Sequence, residues 1–170
     1  MDDARPRLTL IHGKKRVAIT AETFADVTPN LQKNLFADTR PGIVVFVCFP
    51  DVDETEFVNL LENAHPRFVI DFRIAPRFDV GRLNRDRAFH LFDSAGAQYI
   101  DLGAITFHGA PRDEVMRAFS ELLSSKAFDL SRPVVFLFSR PEASVASDSD
   151  VLSALASSGK TPKEIMQVPA

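Results

Sequence analysis

The chain is 170 residues long, 45% hydrophobic and 25% charged, with a formal net charge of -3. This describes one globular domain large enough to bury a core, and the acidic balance argues against a general nucleic-acid coat, leaving only a local basic patch open. The single cysteine, Cys48, excludes an internal disulfide framework, and the longest purely apolar run, Ile43 to Phe49, is far too short to span a bilayer; with the acidic start Met1-Asp2-Asp3 unlike a signal peptide, a cytoplasmic protein with no membrane partner is expected.

Leu8 to Ile11 and Arg16 to Thr20 are short alternating apolar runs around His12-Gly13-Lys14, the pattern of a β-hairpin at a sheet edge. From Glu22 to Phe36 the spacing is helical but interrupted, with Thr28 as a cap, Pro29 opening a new turn, and Phe24, Val27, Leu31 and Leu35 on one face. After the Pro41-Gly42 turn, Ile43 to Phe49 is a strand apolar on both faces, as in a sheet covered by helices on each side. Asp53-Glu54-Thr55-Glu56 has the spacing of a capping box and opens a helix with Phe57, Leu60, Leu61 and Ala64 as its buried stripe. A second buried strand begins at Phe68, between Pro66 and Pro76.

Asn84 caps the next helix, which turns Ala88, Phe89, Leu91, Phe92 and Ala95 inward and stops at Gly96. Gln98 to Leu102 is a third strand. Ala110-Pro111-Arg112-Asp113 starts a helix with Val115, Met116, Phe119, Leu122 and Leu123 inward, and Pro133 to Phe138 is the fourth long strand. Ser139 to Asp150 reads as a loop before a short helix over Val151 to Ala156, which Gly159 ends. This alternation predicts a single α/β domain over 1-170: a three-layer Rossmann-like sandwich with a largely parallel sheet, right-handed crossovers and an N-terminal β-hairpin. Ligands in such sheets sit beyond the carboxyl ends of the strands. Here those ends are Pro50-Asp51, Arg73 to Arg77, Leu102 to His108 and Ser139-Arg140.

The stretch Phe68 to Phe78 delivers an acid, two arginines and a proline to that rim. Asp71 and Arg73 are two apart, so in a strand they share a face. One reading is a structural ion pair at the strand end, since burying either charge alone would cost several kcal/mol, roughly. The other is an anion site in which Asp71 orients Arg73 while Arg77 reaches over the sheet end, with His108 on the same rim as an acid or base. Arg73, Arg77, Arg82, Arg85 and Arg87 make a local positive field suited to phosphate or carboxylate. The alternative is a solvated surface with arginines paired to Asp79, Asp86 or Asp93.

Ile70-Asp71-Phe72-Arg73, Pro76-Arg77, Asn84, Gly96, Tyr99 and Leu102-Gly103 follow one another at the spacing of the bacterial family of domain of unknown function 488, which the segment Ile43 to Gly103 resembles. The resemblance implies a Rossmann-like layered fold with an Arg-lined rim. The family's later Cys-His-Arg motif has no counterpart here, where Leu137 to Glu142 and Ser147 to Asp150 occupy the corresponding region, so no thiol-dependent activity carries over.

Ala154 to Thr161 satisfies a relaxed phosphate-loop pattern, but a helix rather than a strand precedes it and Pro162 follows. Gly159 as a helix stop and Thr161-Pro162-Lys163-Glu164 as a further capping box explain the same letters. His12, His65, His90 and His108 are scattered, with no partner at metal-ligand spacing, and Cys48 lies in an apolar strand that blunts a thiol. No cofactor or metal is expected. Two functions of different class remain: a binding or interaction module holding an anionic small molecule or acidic protein segment at Asp71, Arg73, Arg77 and His108, and an enzyme acting on a phosphorylated or nucleic-acid-related substrate with the same residues.

Overall fold

The computed structural model describes residues 9–12, 15–18, 42–107, 109–140 and 143–168. The predicted helix over Glu22 to Phe36 and the rim residue His108 lie outside the described residues.

The strands are β1 (Thr9–His12), β2 (Lys15–Ala18), β3 (Ile43–Cys48), β4 (Phe68–Asp71), β5 (Gln98–Asp101), β6 (Val134–Phe138) and β7 (Glu164–Val168). They form one sheet in the order β2-β1-β7-β3-β6-β4-β5. The five strands from β7 to β5 are parallel, and the β1–β2 hairpin joins them through an antiparallel pairing of β1 with β7. The four long strands expected from the sequence are thus mutually parallel, and the hairpin is an edge element.

The helices are α1 (Glu54–Ala64), α2 (Arg85–Ala95), α3 (Gly103–Phe107), α4 (Arg112–Ser124) and α5 (Asp148–Ser157). The capping box read at Asp53 and Glu56 closes in both directions, with the Glu56 N–H donating to Asp53 Oδ1 at 2.8 Å and the Asp53 N–H to Glu56 Oε2 at 3.3 Å. Asn84 Oδ1 accepts from the Arg87 N–H to cap α2, and Gly96 ends that helix at a φ of 64°, a left-handed conformation that glycine adopts without Cβ strain.

The double-sided apolar strands are explained by two cores. On one face Phe57, Leu61, Ala88 and Phe92 of α1 and α2 pack on Val45, Val47, Val69, Val135 and Leu137. On the other, Val115, Phe119, Leu123, Val151 and Leu155 of α4 and α5 pack on Val44, Phe46, Ile70, Val134 and Phe136. Successive strand residues point to opposite faces, so Val44 and Phe46 feed one core and Val45 and Val47 the other. The chain passes from β3 to β4 to β5 in one direction across the sheet and then back through β6 to β7. Right-handed crossovers accordingly put α1 and α2 on one face and α4 and α5 on the other.

Two expectations are corrected. Thr161 to Glu164 opens no helix: the chain enters β7, with the Lys163 and Glu164 N–H groups both donating to the Gly42 carbonyl and Val45 standing opposite Met166. Local capping spacing yields here to a long-range pairing that buries Met166 between β1 and β3. The last helix also begins earlier than expected, at Asp148, because Ser147 and Asp150 form a reciprocal cap. At the amino edge, Arg132 donates to the His65 and Ala95 carbonyls and so ties down the ends of α1 and α2. Lys160 donates to the Phe128 carbonyl at 3.0 Å. It follows a helix and precedes a strand, the reverse of the order in a phosphate loop.

Placing β7 inside the sheet has a measurable consequence. Met166→Ala should lower unfolding free energy by about 2–5 kcal/mol, the range for a large buried side chain cut to alanine, whereas Gln167→Ala, one residue on and facing the other way, should cost far less. Chemical denaturation of the two variants checks this.

Candidate functional site

The carboxyl edge of the sheet divides into a closed half around β4 and an open half around β3, β6 and β7. In the closed half, Asp71 is fully buried and Arg73 is 4% exposed. Arg73 Nε donates to Asp71 Oδ1 at 2.9 Å and Nη2 to Oδ2 at 2.6 Å, a bidentate fork, and the Arg73 backbone N–H adds a third bond to Oδ1 at 3.0 Å. The Tyr99 hydroxyl donates to Oδ2 at 2.9 Å. The guanidinium rests against two rings that meet edge to face, 4.1 Å from the Phe49 centroid and 4.6 Å from that of Phe78.

Local sequence explains how these groups meet. Phe49 follows β3 directly in a short 3-10 turn, and Ala75 takes a positive φ of 52° that swings Pro76 and Arg77 back over the strand end. Arg77 contributes its carbonyl, which accepts from Arg73 Nη1 at 2.8 Å, while its own side chain is exposed. Gly103 passes so close that a Cβ there would stand 1.9 Å from the Arg73 carbonyl oxygen, which is why α3 begins with glycine. Burial pushes the Tyr99 phenol up, and the Asp71 and Asp101 carboxylates add to the effect. Burial also raises Asp101, opposed by the Ala104 N–H that its carboxylate accepts at 2.8 Å.

Of the residues singled out from the sequence, the structure brings Asp71, Arg73 and the Arg77 backbone together and leaves the Arg77 side chain at the surface. Of the other arginines of the cluster, Arg87 pairs with Glu54 at 2.6 Å rather than with Asp79, Asp86 or Asp93, Arg85 lies over the Phe89 ring, and Arg82 bonds to Glu54 through its backbone N–H.

Beyond β4 the chain continues as a short antiparallel bridge. The Ile74 N–H donates to the Ala143 carbonyl and the Val145 N–H to the Phe72 carbonyl, with Arg73 opposite Ser144. This fixes the loop after β6, whose other side lines a cavity of about 360 Å³ in the open half of the edge. Its apolar side is made by the Phe46, Phe138 and Ala146 side chains, while Val47 and Val168, which turn their side chains to the opposite core, border it through the backbone. Its polar groups are Cys48, Arg112, Ser139, Ser144, Ser147, Asp148 and Gln167. The cavity lies where the chain's direction across the sheet reverses between β3 and β6, the position at which open α/β sheets bind ligands.

The polar lining is held in place by bonds of its own. The Ser139 N–H donates to Ser144 Oγ at 2.7 Å. The Asp148 carboxylate accepts from Gln167 Nε2 at 3.0 Å and from the Ser149 N–H at 2.8 Å. Asp150 accepts from the Ser147 N–H at 2.8 Å and is paired with Arg112. Hydrogen bonds from Ser147 hold the Asp150 carboxyl below the usual carboxylate range, and Arg112 adds to this. Cys48 Sγ donates to Asp51 Oδ2 at 2.8 Å, and burial, with that bond and the Asp51 charge, pushes its thiol up to about 12. Among the described residues no group of three or more His, Cys, Asp or Glu side chains is placed to hold a metal ion, and no helix is long and apolar enough to cross a membrane.

Arg112, Ser144, Ser147, Asp148 and Gln167 were not legible as a site from the sequence. The one available signal was the Ser147-to-Asp150 capping spacing, which places a helix start beside the carboxyl edge.

Two outcomes follow. Asp71→Ala should cost roughly 3 kcal/mol or more by stranding a buried guanidinium, while Arg77→Ala, which keeps the carbonyl that Arg73 uses, should change the melt little; replacing both partners, as Asp71→Leu with Arg73→Met, should recover part of the Asp71→Ala loss. Second, a thiol with its pKa near 12 stays protonated at pH 8, so Cys48 should react with iodoacetamide roughly a hundredfold or more slowly than an ordinary exposed thiol and should keep accelerating with pH above 9, where an ordinary thiol levels off. Alkylation followed by mass spectrometry reads this directly.

In comparisons with known proteins, no family model, curated protein or solved structure matches the chain.

Proposed function

We propose that this chain is a non-catalytic binding module that holds a small molecule, with an apolar body and an anionic head group, in the cavity at the carboxyl ends of β3, β6 and β7. The observation that carries this reading is the composition of the lining: Phe46, Phe138 and Ala146 form an apolar wall, and the polar side holds the Arg112 guanidinium with serine hydroxyls, the Gln167 amide and the Asp148 carboxylate. The Arg112 side chain is 59% exposed, and among the described residues its bond to Asp150 engages Nη2 alone. Its remaining donors face outward to a head group, in the planar geometry that suits a carboxylate or phosphate.

The reading is also supported by what the neighbouring groups are already doing. Asp71, Arg73 and Tyr99 bond to one another, and the thiol at the cavity is protonated at neutral pH. The proposed membership in the family of domain of unknown function 488 rests on Asp71 and Arg73 at the end of β4, Asn84 and Gly96 at the two ends of α2, and Tyr99 on Asp71. These residues build the closed half of the edge, so that resemblance bears on the scaffold more than on the ligand.

Titration of the full chain with 3-phenylpropionate tests the function. Saturable binding to the wild type is expected, with loss in Gln167→Trp, which sets a large ring on the cavity face of β7, and a weakening of about tenfold or more in Arg112→Ala, the scale of a charge-assisted hydrogen bond. Binding that survives unchanged in both variants would show that the cavity is not the site.

A further inference from the structure

We infer that the ligand's head group is zwitterionic and that the ligand class is an α-amino acid with a large apolar side chain, an inference that rests on reading the cavity as a ligand site. The lining carries one guanidinium and one carboxylate, and they come from different elements: Arg112 is the first residue of α4 and Asp148 the first of α5. Arg112 has an acidic partner in Asp150. Asp148 is held only by neutral donors, the Gln167 amide and the Ser149 N–H, and among the described residues it has no cation within ion-pair distance.

This arrangement decides between classes of head group. A simple anion set against Arg112 would also face the like charge of Asp148, and a simple cation set against Asp148 would face Arg112. A carboxylate and an ammonium on one carbon satisfy both, the carboxylate accepting from the guanidinium and the ammonium donating to Asp148. The Ser144 hydroxyl, which accepts from the Ser139 N–H, keeps its own proton to donate to the carboxylate half, whereas the Ser147 proton is committed to Asp150. The side chain of such a ligand would lie on the wall formed by Phe46 and Phe138, whose ring centroids are 5.7 Å apart and tilted, together with Ala146. A cavity of about 360 Å³ accommodates an aromatic amino acid.

Three probes that differ only in the head group test the inference on the full chain: L-phenylalanine, 3-phenylpropionate, which lacks the ammonium, and phenethylamine, which lacks the carboxylate. L-Phenylalanine should bind at least about tenfold more tightly than either. Asp148→Asn keeps an oxygen acceptor for the Ser149 N–H and should melt like the wild type. It should bring L-phenylalanine to within about threefold of 3-phenylpropionate, whose own affinity should hold or rise. The inference is overturned if 3-phenylpropionate binds as tightly as L-phenylalanine, or if Asp148→Asn leaves their ratio unchanged. If in that case 3-phenylpropionate binding is still lost in Gln167→Trp, the cavity remains a site for anions and only the zwitterion fails. Absence of saturable binding by all three probes removes both readings.

Discussion

At the end of β4 a guanidinium is held against two phenyl rings and forked onto a carboxylate, and four separate segments of chain supply its surroundings. Removing two charges from water costs several kcal/mol per ion, roughly, and the mutual attraction offsets this only when the geometry is close and the remaining donors and acceptors are met. Here Asp71 receives five-point support counting the two fork bonds, the Arg73 N–H, the Tyr99 hydroxyl and the burial of the pair beneath the Phe49 and Phe78 rings. Phe49 comes from the turn after β3, Arg77 and Phe78 from the loop through Ala75, Tyr99 from β5, and Gly103 closes over the Arg73 carbonyl. Loss of any one of these would expose or strand a charge, so the closed half of the edge behaves as a unit.

That closure determines where a ligand can go. With the edge at β4 filled, the segment Phe72 to Ile74 bonds outward to Ala143 and Val145 and fixes the loop after β6. The far side of the same loop, with Ser144 and Ala146, becomes one wall of the cavity. The cavity therefore inherits its rigidity from an ion pair that does not line it. The reversal of chain direction between β3 and β6 keeps the crossovers from covering this part of the edge, a consequence of topology that would hold for many sequences.

Charge in the open half is fixed by local bonds. Asp51 and burial together keep the Cys48 thiol protonated. Asp150 serves the start of α5: Ser147 stabilises its charged form first, and Arg112 second. A carboxyl held below its ordinary range contributes stability that is present at neutral pH and is lost as pH falls through the depressed value, so the N-terminus of α5 and its contact with α4 should outlast ordinary surface carboxylates on acidification.

Strand periodicity and helix caps are local properties, and they were readable. The double-sided apolar runs at Ile43, Phe68 and Pro133 determined buried parallel strands, because burial on both faces leaves no polar alternation. The boundaries at Asp53, Asn84 and Gly96 followed from the side chains that satisfy helix ends. Asp71 and Arg73 were legible as a pair, since neither charge tolerates burial alone, but whether Arg73 faced a ligand or two phenyl rings depended on the path of the loop through Ala75. The strand β7 was missed because Glu164 to Val168 is short, follows a local capping pattern and acquires its identity only from pairing with Ile43 to Val47 and Thr9 to Ile11. Arg112, Asp148 and Gln167 lie far apart in the chain and carry no common motif. Tertiary structure alone brings them to one cavity, because parallel crossovers set the starts of α4 and α5 beside the ends of β3, β6 and β7.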